Sequence, residues 1–506
     1  MCHRATPQMH AALVALSASL VAAVPPLEIV GNEIYNPETG NKFEVVGIAY
    51  QPGGSAGFSP TSPDPLSQPE ACKRDAALMQ AIGVNAIRVY NLNPDLNHDE
   101  CASIFNAAGI YMMLDVNSPL PGQSLWSSKP WETYNAGYLN HTFAVVEAFG
   151  NYPNTLLFFS GNEVINDVST GKNVPKYLRA VTRDLKNYIK NNLKRKIFVG
   201  YSAADVRPVL WDTWNFMQCS DGKDDMTRSD LFALNSYSWC GIAATFESST
   251  YKDLVDGLAK SSIPVFFSEY GCNVPAPRYW NETRTIYSDK MMGSLQGGVV
   301  YEWNEEANDY GLISVKGDVL SILGDYDRLK AAWATIDWKK VQSQKAHKKE
   351  VTPPACKASL ITQKGFDTDF NAPKPPPGAQ KLIDEGISSK PVGKIVKISD
   401  YNVKLTVKDS KGKQITGLKV ARIPKNEFNV FGRNPADTDS SADDEDTDSS
   451  GSGSGSDDKG SGSGSGSSGS DDKGKDKGSK DKGNGGTVNT PATLAMLVPL
   501  AALLFV

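Results

Sequence analysis

Histidine is scarce in this chain, with 5 in 506 residues, and the 7 cysteines form no Cys-x-x-Cys pair. No grouping of the two has the spacing of a metal site, so neither a metal nor another cofactor is expected. A basic excess is also missing. Lys and Arg number 52 against 57 Asp and Glu, a net charge of −5, which gives no footprint for nucleic acid. No apolar run reaches the ~20 residues that cross a bilayer.

Two notable apolar runs stand at the ends of the chain. Arg4 and a polar stretch precede Ala11–Val24, with small residues at Val21 and Ala23. That order predicts a signal peptide over 1–23. At the other end Leu494–Val506 is apolar over 13 residues, behind a polar spacer and the small residues Gly483-Asn484-Gly485-Gly486. This is the pattern of a glycosylphosphatidylinositol (GPI) attachment signal, with 487–506 removed and Asn484 the expected attachment site. The chain is therefore expected on the outer face of the plasma membrane, held to the membrane through its lipid. Export fits the six cysteines outside the signal segment, Cys72, Cys101, Cys219, Cys240, Cys272 and Cys356. An even number suggests three disulfides, of which sequence alone leaves about 15 connectivities open. Asn140-His-Thr and Asn281-Glu-Thr are glycosylation sequons of the same compartment.

Composition divides the interior. Residues 24–340 alternate apolar runs with polar, helix-like stretches such as Pro69–Ile82 and Val174–Leu193. Residues 341–432 hold a proline-rich stretch, then β-like alternation in Lys394–Ser399 and Tyr401–Val407 with a turn at Asp409-Ser-Lys-Gly412. A small β-rich appendage is expected there. Residues 433–486 are Ser, Gly, Asp and Lys without apolar periodicity, predicting a disordered stalk. Within 435–486, 13 acidic residues face 6 lysines, so the chain's negative charge belongs to this segment.

Eight strands are expected in the first region: Phe43–Gln51, Val84–Tyr90, Ile110–Val116, Thr155–Glu163, Lys196–Ser202, Leu231–Trp239, Pro264–Tyr270 and Gly297–Trp303. Short apolar runs bounded by Gly, Asn and Pro and separated by helical stretches read as buried parallel strands, the order of an α/β fold of the (β/α)8 TIM-barrel type. Glu163 then ends the fourth strand and Glu269 the seventh. Two carboxyl groups facing each other across a barrel mouth are what retaining glycosidases use, one as acid/base and one as nucleophile.

Several strings resemble one family closely: Arg88-Val-Tyr-Asn91, Asn97-His-Asp-Glu-Cys101, Leu114-Asp-Val-Asn-Ser-Pro119, Gly161-Asn-Glu163, Asn235-Ser-Tyr-Ser-Trp-Cys240, Phe267-Ser-Glu-Tyr-Gly-Cys-Asn273 and Gly297-Gly-Val-Val-Tyr-Glu302. They resemble, in order over 26–340, the fungal β-1,3-glucanosyltransferases of glycoside hydrolase family 72. The resemblance implies an exported, often lipid-anchored enzyme that elongates cell-wall glucan, with β-1,3-glucan chains as donor and acceptor. It implies Glu163 as acid/base and Glu269 as nucleophile, and the pairs Cys72–Cys101, Cys219–Cys356 and Cys240–Cys272. One branch of the family carries a cysteine-rich carbohydrate-binding module after the barrel; it is not expected here, because only Cys356 lies beyond Cys272. Hydrolysis of β-glucan would use the same catalytic residues; an inactive structural or sugar-binding role in the wall is the further alternative, and the intact pair Glu163 and Glu269 argues against it.

Around the pair, Arg88 and Tyr237 sit late in their strands and are expected to hold Glu269 ionised, while Glu163 is expected protonated. Asn162 can bond a sugar 2-hydroxyl. Tyr90, Asp115, Tyr237, Tyr301, Trp303 and Gln51 are the other expected substrate contacts, with Tyr301 supported by the family's matching tyrosine. At Trp303 the family more often shows Tyr or Phe.

Overall fold

The computed structural model describes residues 24–433 except 55–56, 223–224 and 389–391. The expected signal segment, the stalk, the C-terminal signal and Asn484 lie outside the described residues.

A short antiparallel hairpin, β1 (Glu28–Val30) and β2 (Glu33–Tyr35), opens the fold. Eight parallel strands then close a barrel: β3 (Val45–Ala49), β4 (Ala86–Val89), β5 (Tyr111–Asp115), β6 (Thr155–Asn162), β7 (Phe198–Ala204), β8 (Leu231–Ser236), β9 (Val265–Tyr270) and β10 (Gly297–Val300). Each pairs with its neighbour in chain order and β10 returns to β3. All eight expected strands are present, most with shorter ends, while the fifth starts later than expected and runs on to Ala204. Their residues are buried throughout apart from Asn162 at the end of β6, as expected when helices cover the outside and side chains fill the inside. The interior is filled by Val45, Ala49, Tyr111, Met113, Leu157, Phe159, Leu231, Phe266 and Val299, and Ile34 and Phe43 pack against them from the hairpin side. The Tyr111 hydroxyl donates to the Pro25 carbonyl at 2.6 Å there, so the N-terminal end of the barrel is plugged and the open mouth lies at the C-terminal strand ends.

Beyond β10, a hairpin of β11 (Ile313–Lys316) and β12 (Val319–Ile322) is extended by β13 (Thr406–Lys408), parallel to β12, and β14 (Gln414–Ile415). Barrel and appendage thus share one four-stranded sheet. The expected turn at Asp409–Gly412 does join β13 to β14. The Lys394–Ser399 run forms no strand. Side chains of the outer helix Asp99–Ala107 take its backbone amides instead: Asp99 accepts from Lys394 N–H at 2.9 Å and Ser103 from Val396 N–H at 2.9 Å.

The rest of 356–433 is a belt over the outer helices. The Cys219–Cys356 bond starts it. Asp212 then caps the amides of Thr362 and Gln363, and Phe370 stacks on Phe216 at 4.3 Å. The helix Ala379–Glu385 lies on Pro175–Asn192, where Asn192 donates to the Ile383 carbonyl at 2.9 Å. The belt ends under the barrel, with Asn429 donating to the carbonyls of Gln80 and Val84 and Phe428 edge-on to Phe43 at 5.2 Å. The other two disulfides join Cys72 to Cys101, between two outer helices, and Cys240 to Cys272, between the loops after β8 and β9. All three pairs are those the resemblance implied.

Candidate active site

The polar layer at the mouth is built on Arg88, the last but one residue of β4, whose side chain is fully buried. Its Nε and Nη2 hold both oxygens of Asp115 at 3.0 and 3.2 Å. Nη2 also donates to Asn162 Oδ1 at 2.9 Å, and Nη1 to Glu269 Oε1 at 3.1 Å and Asn235 Oδ1 at 3.3 Å. A guanidinium can do this because its five donors fan out in one plane. Glu269 receives two more donors, Tyr90 hydroxyl to Oε1 at 3.0 Å and Tyr237 hydroxyl to Oε2 at 2.6 Å. Glu163 receives one: Asn235 Nδ2 to Oε1 at 2.8 Å. The two glutamates are therefore bridged through Asn235 and Arg88 and share one cleft.

Local irregularity aims these groups. The register of β6 against β7 shifts between Phe159 and Asn162, and that of β8 against β9 shifts between Leu234 and Asn235. Bulges of this kind re-aim side chains at barrel rims. Glu163 itself has φ 51°, left-handed for a non-glycine residue, a conformation that costs of order 1–3 kcal/mol and needs the surroundings to enforce it. Its amide donates to the Ser202 carbonyl at 2.9 Å, and Ser202 Oγ donates to Asn162 Oδ1 at 2.9 Å. With Oδ1 engaged by Arg88, Ser202 and Asn235, Asn162 keeps its amide nitrogen as a donor, and the residue is exposed.

Charge follows from these contacts. Burial pushes the Glu163 carboxyl up, against smaller lowering by the Asn235 amide and Arg88. Burial also pushes Glu269 up to about 7; Arg88 lowers it, Glu163 raises it, and Tyr237 and Tyr90 lower it. The rise at Glu269 departs from the expectation that its donors alone would keep it low: burial outweighs them. The first negative charge of the pair belongs on Glu269, which alone has a cation and two hydroxyls on its oxygens. Both tyrosines are held well above their ordinary value by burial and remain donors. Arg88 is raised further by Asp115, Tyr90 and Glu269 despite burial, and stays charged.

The other expected residues divide. Gln51, 4% exposed, accepts the amides of Tyr90 and Asn91 at 3.2 and 3.1 Å, fixing the loop that carries Tyr90. Tyr301 is half-buried beside the rings of Tyr237 at 6.1 Å and Tyr310 at 5.3 Å. Trp303 is a correction. It is 0% exposed and packs on Tyr326 at 6.2 Å within the outer core, so it presents no face to a sugar. Its amide bonds back to Ala49, turning the residue under the rim. Asn140 is half-buried on the helix Ala136–Phe149 and Asn281 begins the helix Asn281–Ile286.

Asn235, Ser202, Ser268 and Tyr310 were missed as site residues. Asn235 opens one of the strings quoted above, and its place at a strand end, level with Glu269 in register, was the available signal. The serines are small and common, and Tyr310 sits on a loop, where spacing carries no signal. Among the described residues, one grouping has metal-ligand spacing, Asp221, Asp225 and Cys356. Its sulfur is in a disulfide and Asp225 is paired with Arg179 at 3.0 Å.

A parallel barrel with two carboxyl groups across its mouth, one of them wired to a buried arginine and two tyrosines, defines a carbohydrate-active (β/α)8 enzyme. The comparisons with known proteins narrow this. Residues 16–337 match the Glucanosyltransferase family of glycoside hydrolase family 72, and the chain belongs to that family. It is 50% identical over 416 residues to 1,3-beta-glucanosyltransferase gel2 of Aspergillus fumigatus, covering 82% of this chain and 86% of gel2. It is 41% identical over 336 residues to 1,3-beta-glucanosyltransferase GAS4 of Saccharomyces cerevisiae, covering 66% of this chain and 71% of GAS4. Saccharomyces cerevisiae Gas2p, solved as a glutamate-to-glutamine mutant with laminaritetraose and laminaripentaose, superposes with TM-score 0.61 at 31% identity, covering 70% of this chain and 75% of Gas2p.

Proposed function

We propose that this chain is a retaining β-1,3-glucanosyltransferase that cleaves a β-1,3-glucan chain and transfers the new reducing end to the non-reducing end of another. The observation that carries the reading is the unequal wiring of the two glutamates. Glu269, with a cation and two hydroxyls on its oxygens, is the carboxylate that attacks the anomeric carbon. Glu163, on a single neutral amide and raised by burial, delivers its proton to the departing oxygen and takes one back from the acceptor hydroxyl. As the Glu269 oxygen bonds to carbon its charge disappears, and Arg88 remains balanced by Asp115.

Asn162 presents its free amide to a sugar hydroxyl, and Gln51, Tyr90, Asp115, Tyr237 and Tyr301 line the remaining contacts. Transfer over hydrolysis needs an acceptor held so that its effective molarity, which oriented systems raise to about 10⁵ M or more, exceeds that of water. The ring cluster of Tyr237, Tyr301 and Tyr310 is the surface suited to this.

The same reading places the enzyme on the outer face of the plasma membrane and in the wall, attached through a GPI lipid at Asn484. Three disulfides support an oxidising compartment, and the small-residue cluster before an apolar run supports the anchor. The test is the product ladder from one pure β-1,3-gluco-oligosaccharide. Products longer than the substrate, with β linkages only, are expected. A ladder of shorter products alone at millimolar substrate overturns transfer in favour of hydrolysis.

A further inference from the structure

The chain has nine tryptophans, and two of them, Trp126 and Trp131, are each 52% exposed, while the others are buried or half-buried. Both belong to the loop between β5 and the helix Ala136–Phe149. Neither has a ring or cation partner among the described residues. A single exposed apolar side chain is ordinary on a folded protein, but two indoles carried on one short loop offer an apolar surface of the kind that interactions use.

The loop holds a fixed conformation. At its base Asn117 Nδ2 donates to the Ser160 carbonyl at 3.1 Å and its Oδ1 accepts the Tyr138 hydroxyl at 2.7 Å. Leu125, beside Trp126, is buried. Trp126 N–H donates to Thr133 Oγ1 at 2.9 Å, its carbonyl accepts Lys129 N–H at 3.1 Å, and the short helix Pro130–Thr133 carries Trp131. Tyr134 closes the loop by donating to Asp184. A loop whose backbone is already held binds at a lower entropy cost than a mobile one.

Position decides the occupant. The loop leaves the barrel at Asp115, the counter-ion of Arg88, and its base is bonded to β6, the strand that ends at Asn162 before Glu163. It is therefore continuous with the rim of the catalytic mouth. We propose that Trp126 and Trp131 form a remote sugar-binding platform on which a β-1,3-glucan chain, continuing out of the cleft, lays the apolar faces of its glucose rings. This rests on the glucan-transfer reading. A pyranose presents C–H groups on its faces and hydroxyls at its edge, which suits an exposed indole with water around it. The platform favours long chains over short ones and leaves the chemistry untouched.

The test uses the full-length enzyme and purified β-1,3-gluco-oligosaccharides in two sizes, short chains that fill only the catalytic cleft and long chains that reach beyond it. Trp126→Ala/Trp131→Ala is expected to lose about tenfold in kcat/KM on long chains through KM, with short-chain turnover and thermal midpoint unchanged. Trp126→Phe/Trp131→Phe is expected to keep most of the long-chain preference. Four results overturn the platform: equal losses on short and long chains, no loss on either, a long-chain loss that phenylalanine does not restore, or altered sedimentation or vesicle binding without length dependence. Short-chain transfer by the wild type tests the underlying reading separately.

Discussion

Replacing Tyr237 by Phe removes one hydroxyl and leaves the ring beside Tyr301 and Tyr310. The lost contact is the 2.6 Å bond to Glu269 Oε2, while Arg88 and Tyr90 still hold Oε1. A hydrogen bond to a charged group contributes about 1.5–3 kcal/mol, and a pKa unit is about 1.4 kcal/mol, so the carboxylate should become harder to ionise by about 1 to 2 units. Burial already pushes Glu269 up to about 7. Attack requires the ionised form, so the acid limb of kcat/KM reports this group and must move to higher pH. The loss in Tyr237→Phe should be greatest on the acid side and shrink as pH rises past the limb. The assay is the pH profile of kcat/KM on a soluble β-1,3-gluco-oligosaccharide for both proteins. An acid limb that stays in place or moves to lower pH refutes the reasoning, as does movement of the alkaline limb alone.

Thermal stability should also depend on pH. Burial raises Glu44 and Glu282 to about 7 and Glu302 to about 8. Groups whose folded pKa lies above the unfolded value contribute stability fully below about pH 4, and that contribution is lost as pH rises through 7 to 8. The midpoint should fall between pH 5 and 8 and fall less in Glu282→Gln; equal slopes would contradict the assignment. Trp303→Ala should destabilise the fold by about 3–5 kcal/mol as a core truncation, measured by denaturant unfolding, whereas Tyr301→Ala should cost transfer at little cost in stability. Cys219→Ser/Cys356→Ser opens a loop with a sequence separation of 137 residues. Limited proteolysis should then cut within 356–433 before the barrel, at a stability cost of about 2–4 kcal/mol; unchanged protease resistance would mean the belt is held by its helix contacts alone.

The barrel was legible because its strands are buried on both faces and read as short apolar runs, and because several carry a polar residue at or near the C-terminal end, where the apolar run stops. Glu163, Glu269, Arg88 and Asn162 are such residues. The belt was illegible for the opposite reason. Its amides bond to Asp99, Ser103, Asp212 and Gln80 on the outer helices, and contacts between distant side chain and backbone leave no periodicity. Trp303 was misplaced because a strand-end aromatic can face the mouth or turn under the rim; its amide bond to Ala49 turns it under. Asn235 could have been found by asking which strand neighbours the one bearing Glu269.

The division of labour between the glutamates can be read by trapping the intermediate. In Glu163→Gln, an activated β-1,3-gluco-oligosaccharide donor whose leaving group needs no protonation should still react at the nucleophile, while the next step lacks its base. Rapid acid quench, peptic digestion and mass spectrometry should then find the oligosaccharide mass on the peptide that contains Glu269, with the wild type turning over the same donor to β-linked products. Label on any other residue, or α-configured product from the wild type with no labelled peptide, would contradict the account.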